Sequence, residues 1–353
     1  MAYTAVDDPS AHFKVQLYTG NGSTQVITFD DTDTNMQPDI VWLKNRNSSG
    51  HDHFLFNVLD GVQQFLSTND GGALASSDSS YLTAFGSDGF TLGSSDGMNE
   101  SSITFVSWNW KCGGSGSTNN DGSTASTVSA NTTSGVSLVK HTGTGSATNI
   151  GHGLGAEPKI VISKRTNDSN SWIFHSSLVA GSWTSSNYLV LNSTAAIASS
   201  TTSVDAASSS TISFDGSDDW VNASSDSYTH FIYAPKQGFS KFGTFTANNN
   251  SSGPYIHLGF RAAWIMIKRY STSGKPWAIM DNKRVGYNVD NNVLNANAAD
   301  NEHTNDYIDI CANGFKIRDN NQDVNNPDGG NYFFMAFAES PFVNSNGVPN
   351  NAR

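Results

Sequence analysis

An apolar run that ends in basic residues occurs three times along this 353-residue chain. It reads Ile40-Val41-Trp42-Leu43 before Lys44-Asn45-Arg46, then Ile160-Val161-Ile162 before Ser163-Lys164-Arg165, then Trp264-Ile265-Met266-Ile267 before Lys268-Arg269. Short apolar runs bounded by turn residues fit buried strands better than helices, which need greater length. Each run is followed, across a polar turn, by a second apolar segment. These segments are His53-Phe54-Leu55-Phe56, Trp172-Ile173-Phe174-His175 and Trp277-Ala278-Ile279-Met280. The turns between them, such as Asn47-Ser48-Ser49-Gly50 and Ser271-Thr272-Ser273-Gly274, carry the residues that tight turns demand. Three β-hairpins are therefore predicted.

The pattern continues beyond the hairpins. Asp88-Gly89 leads into Phe90-Thr91-Leu92, and Asn313-Gly314 leads into Phe315-Lys316-Ile317; Thr211-Ile212-Ser213-Phe214 is the looser counterpart. Asp-Gly or Asn-Gly ahead of alternating apolar residues marks a turn entering a strand. An aromatic strand then closes each unit, at Phe105-Val106-Ser107-Trp108, at His230-Phe231-Ile232-Tyr233 and at Tyr332-Phe333-Phe334-Met335. The repeats lie a domain's length apart, so the chain reads as three diverged copies of one β-rich unit. The predicted division is 1–114, 136–243 and 244–343, with 115–135 as a Gly/Ser/Asn-rich flexible linker and 344–353 as a polar tail. No stretch sustains helical periodicity, and residues 57–66 predict one turn at most. The expected fold class is all-β: tandem antiparallel β-sandwich domains, jelly-roll-like.

Composition sharpens this picture. Charged residues are 14 % of the chain, against about 25 % in an average soluble domain. Ser, Thr, Asn and Gly take their place, and these side chains favour turns and strand faces over helix interiors. Aromatic residues at 11 % argue for real cores and against disorder. The net charge of −12 excludes phosphate-backbone binding as a main role, so no nucleic-acid partner is expected. It also gives no reason to dock on an anionic bilayer, and no run reaches the apolar length of a membrane helix. The N-terminus lacks a basic stretch followed by an apolar run, so no secretory signal is expected. Cys112 and Cys311 are expected as free thiols.

Three segments carry a family resemblance. Asp7-Asp8-Pro9-Ser10-Ala11-His12-Phe13 with Tyr18-Thr19-Gly20-Asn21-Gly22-Ser23 resembles the opening of tail-fibre-type virion proteins of marine phages, including those of cyanobacteria. Val139-Lys140-His141-Thr142-Gly143-Thr144-Gly145-Ser146 with Ile150-Gly151-His152-Gly153-Leu154 resembles a recurrent second-repeat opening in that group, and Phe334-Met335-Ala336-Phe337-Ala338-Glu339-Ser340-Pro341-Phe342 resembles its terminal motif. In the third unit Asn248 to Gly253 replace the Gly-Thr-Gly-Ser turn. The resemblance implies a virion structural protein of the tail or fibre, synthesised in the host cytoplasm and assembled as a homo-oligomer, a trimer by the habit of fibres. Its partners would be other virion proteins and a host surface glycan or protein. It implies no cofactor and no catalytic residue. The alternatives are a capsid-decorating or tail-adaptor protein, and a glycan-cleaving depolymerase; a cellular adhesin fits poorly without an export signal.

Candidate chemistry is sparse. Gly143-Thr144-Gly145-Ser146 lacks the following helix that a phosphate loop needs, and reads as a hairpin turn. Asp31-Thr32-Asp33-Thr34-Asn35 begins like a calcium loop, but Met36 and Trp42 stand where an EF-hand needs Gly and Glu. There and in Asp319-Asn320-Asn321-Gln322-Asp323 with Asp328 a solvated turn is the favoured reading, with a non-EF calcium site as the alternative. His51 and His53 share a strand face without a third ligand, so no metal site is expected. Asp215, Asp218 and Asp219 occupy a turn that the repeat already explains, though a hydrolytic carboxylate pair would need such groups across a cleft. Trp42, Trp108, Trp110, Trp172, Trp264 and Trp277 lie on repeated strands and are expected in cores. Trp183 and Trp220, in polar surroundings, are the candidates for ligand contact.

Overall fold

The computed structural model describes residues 4–30, 34–183, 187–200, 204–216, 218–284, 288, 292–327 and 329–349. Seven strands recur in each unit. In the first they are β1 (Phe13–Thr19), β2 (Gln25–Thr28), β3 (Ile40–Asn45), β4 (Phe54–Asn57), β5 (Leu82–Gly86), β6 (Gly89–Leu92) and β7 (Thr104–Trp110). The second has β8 (Val136–Thr142), β9 (Thr148–Gly151), β10 (Ile160–Arg165), β11 (Ile173–Ser176), β12 (Val204–Ala207), β13 (Thr211–Phe214) and β14 (Ser227–Tyr233). The third has β15 (Ser240–Thr246), β16 (Tyr255–His257), β17 (Phe260–Arg269), β18 (Trp277–Asp281), β19 (Ile308–Cys311), β20 (Gly314–Ile317) and β21 (Asn331–Pro341).

The pairing is the same three times. A main sheet runs β1-β7-β3-β4, then β8-β14-β10-β11, then β15-β21-β17-β18; a small sheet runs β2-β6-β5, β9-β13-β12 and β16-β20-β19. All these pairs are antiparallel, and the two sheets of a unit face each other as a sandwich. In the first unit Val41, Leu43 and Phe56 of the main sheet meet Ile27, Leu82, Phe90 and Leu92 of the small one.

The opposite face of each main sheet is buried too. Ile40 and Trp42 alternate with Val41 and Leu43, and join a core to which all three units contribute. This explains why the central strands read as unbroken apolar runs: a strand covered on both faces has no polar side to present. Trp110, Tyr233 and Phe337 hold equivalent places on the closing strands, and all three meet: Phe337 lies 5.7 Å from Trp110 and 6.0 Å from Tyr233, ring centre to ring centre. The expected antiparallel sandwiches are present in all three units, and beyond that expectation they pack against one another. The inward aromatic positions cannot be buried by one unit alone, so the three main sheets close around a common interior.

Hydrogen bonds between units run in a closed cycle. Trp172 Nε1 donates to Ser67 O at 2.8 Å, and Trp277 Nε1 donates to Val190 O at 3.0 Å. His53 stands at the matching place in the first unit. Its Nδ1 accepts from Trp42 Nε1 at 2.9 Å, so Nε2 carries the proton and donates to Asn295 O at 3.0 Å. Unit two thus reaches one, three reaches two, and one reaches three. Backbone bonds repeat the cycle in reverse: Leu74 N to Thr166 O, Ile197 N to Tyr270 O and Glu302 N to Arg46 O, at 2.7–2.9 Å.

The segment 115–135 is not a flexible linker. Ser117–Asn119 pairs with Ser126–Asn131, which pairs with β8 and extends the second main sheet. Val128 turns inward, and Ser126 Oγ donates to Gly151 O at 2.9 Å. Small hydroxyl residues serve an edge strand as readily as a loop, so composition alone misled. Residues 57–66 form no helix; Asn57 Oδ1 caps a turn at Leu59 and Asp60, and Gln64–Phe65 is a strand. Of the polar tail, Asn344 to Val348 close a turn, and Ser345 N donates to Asp7 at 2.7 Å.

Candidate functional site

Strands fix the positions of the candidate residues, and most prove structural. His53 is fully buried and serves the inter-unit cycle, whereas His51 faces Glu100 at 3.8 Å, so the pair shares no ligand. Burial holds the His53 imidazole well below its usual pKa, and it stays neutral. Asp31 and Asp33 lie outside the described residues, as does Asp328. Asp319 and Asn321 cap the amides of Asn321 and Asp323 as ordinary Asx turns. Among the described residues no cluster of three or more His, Cys, Asp or Glu is placed to hold a metal ion. The glycine-rich turn at 143–146 is bonded to Asp226 O through Gly143 N. Asp218 accepts the Trp220 amide at 2.7 Å within its own turn. The six tryptophans of the repeated strands are all buried. Cys112 and Cys311 are free thiols; burial and the Asp39 carboxylate push the Cys112 thiol well above its ordinary value.

Trp183 and Trp220 are half-buried and rim the sandwich core of the second unit, beside Leu154, Val161 and Phe214. Trp183 Nε1 donates to Glu157 at 3.3 Å. Trp220 lies against Tyr188, ring centres 4.7 Å apart and inclined at 54°. Tyr188 is itself half-buried, and burial and Asp218 raise its hydroxyl pKa. The result is a Tyr188–Trp220 pair and a separate Trp183, both at the margin of one core. Such amphipathic rings suit surfaces that meet partly polar ligands.

Two buried features escaped the sequence reading. Asn99, Asn222 and Asn325 are equivalent and fully buried. Asn222 Nδ2 donates to Ser146 O at 2.7 Å and Gly216 O at 3.0 Å, while its Oδ1 accepts from Thr144 N at 2.9 Å. Asn99 and Asn325 likewise pin the turns that begin at Gly20 and Ala247. Each stands just after an apolar residue (Met98, Val221 or Val324) and five or six residues before the closing strand, a signal visible in the repeat.

The second feature is histidine in the middle unit. His230 Nδ1 lies 2.8 Å from Ser163 Oγ, and its Nε2 lies 3.0 Å from His141 Nδ1. His175 is buried with both ring nitrogens unpartnered. It occupies the place of Phe56 and Met280 in the other units. Burial lowers His141 to about 4 and His175 to about 3, so both are neutral packing groups at physiological pH.

A family model described as Domain of unknown function (DUF7483) matches residues 8–341. No curated protein and no solved structure matches the chain. No helix among the described residues is long and apolar enough to cross a membrane.

Proposed function

We propose, for a chain that belongs to the family described as Domain of unknown function (DUF7483), a non-catalytic structural role in a bacteriophage particle. It forms part of a tail fibre or another tail-associated component that touches the host surface. The observation that carries this reading is the closed cycle of three units. Closure buries the apolar strand faces, and leaves polar turns exposed and Trp183, Tyr188 and Trp220 half-exposed. A stiff body with hydroxyl- and amide-rich turns suits recognition through many weak contacts. The likeness of the segments Asp7–Phe13 and Phe334–Phe342 to those of phage virion proteins supports this setting.

Copies of the chain associate through free sheet edges in this reading. Strands β2 and β16 are outer strands of their small sheets, and carry the exposed Val26 and Tyr255. In the second unit the matching edge is covered by the chain itself, where Thr124 bridges Ile150. An open apolar edge is a natural place for another strand to add. Immunogold labelling of intact particles tests the location. Label on distal fibres supports the reading, label on the head or neck moves the protein to a decorating or adaptor role, and no label refutes a place on the particle's surface. Light scattering of the purified chain tests the association, for which a trimer is expected.

A further inference from the structure

The cationic side chains of this acidic chain are mostly neutralised. Arg46, Arg165, Arg284, Lys140 and Lys159 each hold a carboxylate within 4 Å, and Lys44, Lys164 and Lys268 are buried against backbone carbonyls. One concavity differs. A cavity of about 420 Å³ opens where the second unit passes into the third, between residues 235–241, which lead into β15, and residues 257–259, at the end of β16. Lys236, Lys241 and His257 line it, and none of its described lining residues is acidic.

The walls are held in place before any ligand arrives. Ser240 Oγ accepts from Lys236 N at 3.0 Å, and Ser240 N donates back to Lys236 O at 2.9 Å. From the other side, Ala5 N and Thr4 Oγ1 both donate to Gln237 O, at 2.9 and 3.1 Å. Gly238 has φ +78 and lies so close to Thr4 that a Cβ would collide with its hydroxyl. Lys241 Nζ reaches across to His257 O at 2.7 Å, which sets one ammonium on the cavity wall. Burial lowers the Lys236 pKa.

The geometry points to this cavity as a binding site for an anionic saccharide, one bearing a carboxylate or a sulfate ester, held by the Lys236 and Lys241 ammonium groups. Its size falls within the range of small-ligand pockets, and its lining is polar, as a sugar requires. Charge-assisted bonds from the two ammoniums give the affinity, and the rest of the ring meets Gln237 and backbone. The inference rests on the host-contact reading for its setting, yet it is tested without particles.

The experiment is isothermal titration of the full chain with a hexuronate oligomer, a sulfated galactan oligomer and a neutral oligosaccharide of equal length. The expected result is that at least one acidic oligomer binds about tenfold more tightly than the neutral one, with affinity falling as salt rises. A Lys236→Gln/Lys241→Gln variant should lose about tenfold, the whole margin over the neutral oligomer, with its melting temperature unchanged. A Lys275→Gln/Lys283→Gln variant, with the same change in net charge elsewhere, should bind as the parent does. Binding of the hexuronate alone assigns a carboxylate site, and binding of the galactan alone a sulfate site. Equal binding of the neutral oligomer, no acidic binding, or undiminished binding by the Lys236/Lys241 variant overturns the inference. Such a failure leaves the virion reading standing if particles still label.

Discussion

Replacing Asp281 by Ala should destabilise the whole molecule, and the size of the melting shift should reveal how much chain unfolds together. Asp281 and Arg284 are both fully buried, with Arg284 Nε donating to Asp281 at 2.7 Å. The same carboxylate accepts from Trp108 Nε1 of the first unit at 2.9 Å. Arg284 also meets Glu302 at 3.2 Å, and Glu302 holds Arg46 of the first unit at 2.9 Å. Removing one partner of a buried ion pair costs about 3–5 kcal/mol. The orphaned Trp108 N–H adds to that loss, though the two effects overlap, so about 4 kcal/mol is a fair expectation. Unfolding entropy is about 2.1 cal/mol/K per residue. If the chain melts as one body, the loss lowers the melting temperature by roughly 5 °C; if the third unit melts alone, by roughly 20 °C. Scanning calorimetry of Asp281→Ala separates these outcomes. Asp281→Asn, which keeps an acceptor for Trp108, should fall between it and the parent. A drop of 20 °C confined to part of the heat absorption would refute the shared-core argument, and no drop would refute the role of the network.

Further outcomes follow from the same contacts. Asn222→Ala removes the bonds to Ser146 O, Gly216 O and Thr144 from a fully buried site, and should cost about 2–3 kcal/mol in denaturant titrations, with proteolysis appearing first at the 143–146 turn. Burial pushes Lys44 and Lys164 down to about 8 and Lys268 to about 7. Between pH 7 and 9 the unfolded chain therefore binds more protons than the native one, and stability rises with pH, by about 1 kcal/mol or more per lysine. Urea midpoints at the two pH values check this, and Lys268→Met should flatten the rise. A thiol reagent should modify Cys311 slowly in the native protein and Cys112 only after unfolding, because Cys112 is buried with its thiol held protonated.

Much of the architecture was legible because the repeat is written in strand-length apolar runs. Ile40–Leu43, Ile160–Ile162 and Trp264–Ile267 became central strands, and the closing aromatic segments became their neighbours. The shared interior was signalled by the same runs, whose lack of a polar face already implied burial on both sides. The inter-unit cycle was not legible. Its acceptors are backbone carbonyls, and His53 replaces in the first unit the tryptophan that serves the other two. The buried asparagines hid among many surface asparagines of the same composition. Trp183 and Trp220 stand out in the sequence because no repeat position claims them, and both are half-buried, whereas the Lys236–Lys241 cavity depends on two segments that only the fold brings together.

The central claim is that three repeats form one closed body, and its most direct measurement is calorimetric unfolding of the intact chain followed alongside tryptophan fluorescence. The account predicts one transition, with coincident probes and calorimetric enthalpy equal to the van't Hoff value. Two or three separable transitions, each with the enthalpy of about 100 residues, would contradict it.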